Sequence, residues 1–225
     1  MKVNDILIVD ILKQDSFGKG IARYNNFVLF VDNALPNEQV KIKITMLKKS
    51  YGEAEVLETI KPSPNRREYD CKYYNKCGGC NIGHQTYESQ IMYKESRVKE
   101  SLKIDSVKSY SNKEFNYRNK IVLRVYNNRV GLYEKKSNKV INIDKCLICN
   151  DNINMIIEKL NNFKYLKDIK EITIRSLDKT MISFITYVKI NDKILEYFNF
   201  VDSLYNPCIK RRLCDLSKKC KSDLK

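Results

Sequence analysis

Apolar and polar residues alternate with a period of two through most of the first sixty-one positions. Five runs carry this pattern: NDILIVDIL, GIARY, NFVLFV, EQVKIKITML and GEAEVLETI. Each has the length and composition of one half-buried strand. Asn25-Asn26 suits a tight hairpin turn, Pro36-Asn37 marks a second turn, and Ser50 to Gly52 a third. Residues 1–61 are therefore expected to form a small five-stranded β-barrel of the OB type. Its turns would display Lys19, Lys48, Lys49 and Tyr51.

The period changes after Pro62 and Pro64. A helix is expected over Thr86 to Leu102, with Tyr87, Ile91, Val98 and Leu102 on one face. Strands are expected in YRNKIVLRVY, VGLYE and KVINI, the first ending in an Asn127-Asn128 turn. DNINMIIEKLNNF reads as a helix with Ile153, Ile156, Ile157 and Leu160 inward. IKEITIRSL and TMISFITYVK should pair across Asp178-Lys179. KILEYFNFVDSLY predicts a last amphipathic helix, with Ile194, Phe198, Val201 and Leu204 or Tyr205 on its apolar side. From about Asn206 the periodicity is lost, and NPCIKRRLCDLSKKCKSDLK holds seven Lys or Arg. The fold class is thus α+β, divided into a barrel at 1–61, a cysteine-bearing loop and small α+β domain at 62–205, and a basic, disordered tail at 206–225.

Composition narrows the partners. The chain has 225 residues and a formal net charge of +15, with 42 Lys and Arg against 27 Asp and Glu. Such a charge attracts polyanions through counterion release. Fifteen tyrosines add rings able to stack on bases. RNA is the expected partner, with Lys48, Lys49, Tyr51, Arg118 and Lys120 as its contacts, chosen for charge or aromatic character at expected turns and strand edges. No run reaches the roughly 18 consecutive apolar residues of a membrane span. Asp5 and Asp10 interrupt the apolar N-terminus, which makes a poor signal peptide. A cytoplasmic location follows, and no protein partner is indicated.

Eight cysteines in such a compartment suggest metal ligands more than disulfides. Cys71, Cys77 and Cys80 are spaced C-x5-C-x2-C, with Gly78 and Gly79 in the second interval. Small residues let the backbone wrap so that thiolates converge and amide N–H groups approach the sulfurs. A fourth ligand would come from Cys146 or Cys149, stapling two distant segments. An iron–sulfur cluster and a zinc ion both suit four thiolates. A redox protein without RNA function is the reading from another class, and the positive charge fits it poorly. His84 is the single histidine, expected in a hydrogen-bonded structural role where the loop meets the helix.

The run CKYYNKCGGCNIGHQTYESQIMYK resembles the cluster segment of the TrmA/RumA-type RNA (uracil-5-)-methyltransferases. His84, Tyr87, Gln90 and Lys94 fall where that family carries the same residue types. FGKGIARYNNFVLFVDNALPNEQVKIKITMLKKSYGEAEVLE resembles its TRAM domain. FNYRNKIVLRV and INIDKC resemble the start of its central domain and the strand bearing its last cluster ligand. The resemblance covers roughly residues 1–200. It implies a [4Fe–4S] cluster on Cys71, Cys77, Cys80 and Cys146, with Cys149 a bystander. It also implies a structured RNA, 23S rRNA, bound by the barrel and central domain. Full-length members use S-adenosylmethionine to methylate uridine C5 through a cysteine adduct at C6.

The sequence departs from the family after position 200. An S-adenosylmethionine fold needs a glycine-rich βαβ turn, and no glycine follows Gly131. No Asp-Pro-Pro-Arg-like segment precedes Cys208, Cys214 or Cys220. No catalytic residue is assigned, and the chain alone is expected to be inactive. Either the sequence is truncated or frameshifted beyond about Tyr205, or it is a stand-alone RNA-binding metalloprotein.

Overall fold

The computed structural model describes residues 1–186, 193–208 and 212–215. The chain divides into two compact units. The first comprises Met1–Asp70 and Cys80–Tyr110, the second Cys71–Gly79 and Ser111–Lys225. The expected division at residue 61 is replaced by one in which the chain enters, leaves and re-enters each unit. No helix among the described residues is long and apolar enough to cross a membrane.

In the first unit, strands β1 (Ile6–Asp10), β2 (Lys13–Gln14), β3 (Gly20–Tyr24), β4 (Phe27–Asp32), β5 (Gln39–Leu47) and β6 (Tyr51–Lys61) form one sheet in the order β1-β5-β6-β4-β3-β2. All pairings are antiparallel except β4 with β6. The expected first run, residues 4–12, gives β1, and β2 follows it as a sixth strand that the alternation did not predict. β1 and β2 stand at opposite ends of the order, yet only two residues separate them, so the two ends of the sheet meet. Alternation decides which side is buried. Val40, Ile42 and Ile44 point into a core with Val9, Ile11, Leu29, Val31 and Ala54. Between them Lys41 and Lys43 lie opposite Glu58 and Glu55. Asn25 and Asn26 both have positive φ, 48° and 65°, as the tight hairpin between β3 and β4 requires.

One ion pair is buried in this unit. Glu38 follows the Ala34-Leu35-Pro36-Asn37 turn and accepts hydrogen bonds from the backbone N–H of Leu35 (2.8 Å) and Ser63 (3.2 Å). Arg66 grips both carboxylate oxygens and donates to the Asn33 carbonyl at 2.6 Å. Burial pushes the Glu38 carboxyl up, but Arg66 and the two N–H groups prevail and hold it below its ordinary value. Helix α1 (Tyr87–Leu102) starts at Thr86, whose side chain accepts from Ser89 N, and ends at left-handed Lys103. The apolar face expected for this helix is not inward. Val98 is 41 % and Leu102 65 % exposed. The side that meets the sheet is more polar, and Tyr93 Oη donates to the Asp15 carbonyl at 2.8 Å. His84 is buried at the loop-to-helix junction, its carbonyl accepting from Arg67 N.

The second unit is α+β. Its strands are β7 (Lys120–Tyr126), β8 (Arg129–Tyr133), β9 (Val140–Asn142), β10 (Ile169–Ser176), β11 (Thr180–Thr186), β12 (Ser203–Cys208) and β13 (Arg212–Asp215). They lie in the order β13-β12-β11-β10-β7-β8-β9. Asn127 and Asn128, at φ 50° and 56°, close the β7–β8 hairpin. Helix α2 (Asp151–Asn162) begins at Asn150, whose side chain accepts from Ile153 N. It buries Ile153, Ile156, Ile157 and Leu160, the four residues expected from the spacing, against Leu123, Ile172, Ile174 and Phe184 of the sheet.

The expected helix over 193–205 is cut short. Helix α3 spans Lys193–Tyr197. Ile194 and Phe198 are buried as foreseen. The Asp202 carboxylate then accepts from Thr180 N at 2.6 Å, and β12 runs parallel to β11 from Ser203. Ladder hydrogen bonds to β11 outweigh the local helical pattern. The expected tail at 206–225 likewise starts in strands, over 206–208 and 212–215. Residues 187–190, 209–211 and 216–225 of the expected strand and tail lie outside the described residues.

Candidate functional site

Cys71 and Cys77 sit on the short segment that the second unit takes from the middle of the chain. This segment is sewn to the β8–β9 hairpin. Gly78 N donates to the Tyr133 carbonyl at 3.0 Å and Lys135 N to the Lys76 carbonyl at 2.8 Å. Cys146 lies in the turn between β9 and α2, and Asn154 on the first turns of α2 fixes that turn. Its Oδ1 accepts from Cys146 N, and its Nδ2 donates to the carbonyls of Cys146 and Cys149, at 2.9, 3.1 and 3.1 Å.

A polar brace then ties the two segments together. The Asp144 carboxylate receives Lys72 Nζ (2.8 Å), Tyr73 Oη (2.8 Å) and Arg129 Nη2 (2.5 Å), while Asp144 N donates to Tyr73 Oη at 2.9 Å. The Lys72 ammonium first, then the Tyr73 hydroxyl, hold this carboxyl at about 2. Sequence reasoning missed the brace. Its signal was the Asp-Lys-Cys order at 144–146, facing Lys72-Tyr73 beside Cys71.

Cys77 lies in the field of two other cysteines, Cys146 and Cys71. Burial pushes the Cys77 thiol up, the Gly79 N–H opposes this, and the neighbouring Cys146 and Cys71 raise it further. Gly79 N lies 3.3 Å from Cys77 Sγ, the amide-to-sulfur contact that stabilises thiolates. A hydrogen bond from Cys149 draws the Cys146 thiol down to about 6 against the effect of burial, with Arg118 helping through its charge. Cys149 is fully buried. Cys71, Cys77, Cys80, Cys146 and Cys149 form no disulfide. Cys80 is half-buried and opens the second segment of the first unit.

Among the described residues, no group of three or more His, Cys, Asp or Glu converges as a single ion requires. A multi-iron cluster spreads its thiolates wider than one ion does. Soft sulfur donors with an amide N–H aimed at one of them are the ligand chemistry such a group would need.

The expected RNA contacts divide between the units. Lys48 and Lys49 are exposed in the β5–β6 turn. Lys48 lines a depression of about 390 Å³ with Leu47 and with Tyr24 and Phe27, two aromatics the sequence reading passed over. Tyr51 is half-buried, its ring edge-on to Phe30 at 5.6 Å. Lys120 is exposed at the start of β7. Arg118 is half-buried, and its backbone exchanges hydrogen bonds with Ile148 and Asn150. The first unit holds 16 Lys and Arg against 14 Asp and Glu, and the second 26 against 13.

Residues 2–57 match the TRAM domain model. A protein of Aquifex aeolicus described as an uncharacterized RNA methyltransferase is 35 % identical over 191 residues, covering 80 % of this chain and 45 % of its own length. The chain carries a TRAM domain and is similar to RNA methyltransferases. A Halalkalibacterium halodurans relative, also described as an uncharacterized RNA methyltransferase, is 31 % identical and covers 78 % of this chain and 40 % of its own. The chain thus spans less than half the length of these curated relatives. The fold is matched by the crystal structure of Pyrococcus abyssi tRNA (uracil-54, C5)-methyltransferase, solved with S-adenosyl-L-homocysteine. Its TM-score is 0.70 at 21 % identity, over 96 % of this chain and 52 % of that one.

Proposed function

We propose that this chain is the RNA-recognition and iron–sulfur portion of an S-adenosylmethionine-dependent RNA (uracil-5-)-methyltransferase that acts on 23S rRNA in the cytoplasm. The observation that carries the reading is the Asp144 brace, which ties the segment of Cys71 and Cys77 to the turn that bears Cys146, in a chain similar to RNA methyltransferases. Cys80 joins them as the fourth ligand on its chain spacing, three residues after Cys77. Cys149 serves as the hydrogen-bond partner of Cys146. A bound [4Fe–4S] cluster supplies a covalent staple between chain segments. The first unit's sheet is read as the OB-type barrel, since its order begins and ends on two halves of one chain segment. Lys48, Lys49, Tyr51 and Lys120 meet RNA, and Arg118 serves both RNA phosphate and the Cys146 sulfur. The groups that bind S-adenosylmethionine and attack uracil are assigned to no residue among these 225.

The test titrates a labelled 23S rRNA fragment from unmethylated cells into the anaerobically purified protein at several salt concentrations. Affinity should fall about ten-fold or more between 50 and 200 mM salt, as release of two or more counterions requires. Absence of binding, or binding indifferent to salt, contradicts the RNA reading.

A further inference from the structure

We infer that the open face of the second unit's sheet, around Tyr126 and Tyr133, is a stacking platform for unpaired bases of RNA. The inference rests on the RNA reading above and adds a surface and a mode of contact to it.

The sheet is one-sided. Ile121, Leu123, Ile172, Ile174 and Phe184 point into the core with α2. Strand alternation turns Lys120, Val122, Arg124 and Tyr126 of β7 to the other side, together with Arg129 and Tyr133 of β8. Tyr126 is 54 % and Tyr133 39 % exposed. A soluble sheet face usually carries short polar side chains there, and two tyrosines set among arginines need a reason.

Register shows how the face is laid out. Tyr126 lies opposite Arg129, and Arg124 opposite Gly131. Gly131 admits no side chain, because a Cβ there would come within 2.2 Å of the Ile141 carbonyl oxygen. Arg124 therefore has room to lie across the sheet, with its guanidinium 4.9 Å from the centre of the Tyr133 ring. Glu171 pairs with Arg124, and Asp144 with Arg129. Both planar cations are held in place before any ligand arrives, which lowers the entropic cost of binding. Lys120 and Arg175 face each other in register at the far end of β7.

Rings and guanidinium planes on an open sheet, with cations at the margin, match the needs of single-stranded RNA. Bases stack on the planes while phosphates meet the charges. Duplex RNA hides its base faces and cannot use them. A protein partner would favour an interface centre depleted of charge, whereas the centre here is the Arg124–Glu171 pair.

The test uses the full chain and a short single-stranded RNA carrying 2-aminopurine, with the same strand annealed to its complement as control. Wild-type protein should quench the 2-aminopurine and prefer the single strand. Tyr126→Ala should weaken binding about ten-fold, the loss of one stacked base, with the salt slope unchanged. Tyr126→Phe should restore both affinity and quenching, and thermal melting of each variant checks that it folds. If Tyr126→Ala and Tyr133→Ala bind the single strand as tightly as wild type, the platform is wrong and the RNA reading stands. Equal affinity for the duplex also overturns it. A dimer that Tyr126→Ala dissolves, with RNA binding unchanged, would give the face to a second copy of the chain. If the wild type binds no RNA of either form, the RNA reading fails and the platform with it.

Discussion

The two units are of similar size and carry very different charge. The first is close to neutral at +2, and the second holds +13 of the net +15. On the first unit, Lys41 and Lys43 stand across from Glu58 and Glu55, so cross-strand pairs cancel much of the outer surface. Its one buried charge, Glu38, is matched by Arg66. The second unit is held by an apolar helix-on-sheet core and by a cysteine-bearing segment braced through Asp144. Long-range attraction for a polyanion therefore resides in the unit outside the TRAM match at residues 2–57. The TRAM unit can add local contacts at Lys48, Lys49 and Tyr51, but little field.

Variants that act on one unit and spare the other would break or sharpen this contrast. The largest effect is expected from Arg66→Ala, which leaves the Glu38 carboxylate buried without its partner. Loss of a buried pair in this way costs about 3–5 kcal/mol, and calorimetry should show the first unit melting earlier while the second is unmoved. The same pair gives this unit its acid limit. Because the folded carboxyl lies below its ordinary value, the stabilisation is complete above about pH 4.3, the unperturbed glutamate value. It is lost as pH falls through the lowered native value. Glu38→Gln should flatten that part of the pH–stability curve, measured by denaturant melts between pH 6 and 3.

The cysteines offer the next largest effect. Cys146→Ala should abolish cluster absorbance, while Cys149→Ala should keep it and lower stability by about 1 kcal/mol for the small cavity. Retention of full absorbance by Cys146→Ala would move the ligand assignment to Cys149. Smallest are the single charges. Lys120→Ala should reduce the salt slope of RNA binding by about one, and Lys48→Ala should do so only if the TRAM unit touches phosphate. A larger loss from Lys48→Ala than from Lys120→Ala would reverse the expected division of labour.

Strand alternation and helical spacing made most elements legible. The Asn-Asn hairpins and the four inward residues of α2 follow from local chemistry alone. The polar side by which α1 meets its sheet did not, because Tyr93 is anchored by a backbone carbonyl seventy-eight positions away. β12 was hidden for a similar reason, since its ladder partner β11 lies outside any local window. Of the candidate site, the C-x5-C-x2-C spacing pointed to the thiols, but Asp144 as their brace needed the fold. The aromatic face of β7 and β8 also escaped, because Tyr126 and Tyr133 have meaning only once their neighbours in register are known.

The central claim is that these thiols hold an iron–sulfur cluster in the RNA-recognition part of a methyltransferase. Iron, zinc and acid-labile sulfide measured on anaerobically purified protein, with its visible spectrum, test it most directly. The account predicts a brown protein with about four irons and four sulfides per chain, whose absorbance bleaches with dithionite. A colourless protein carrying one zinc per chain, or no metal at all, would contradict it.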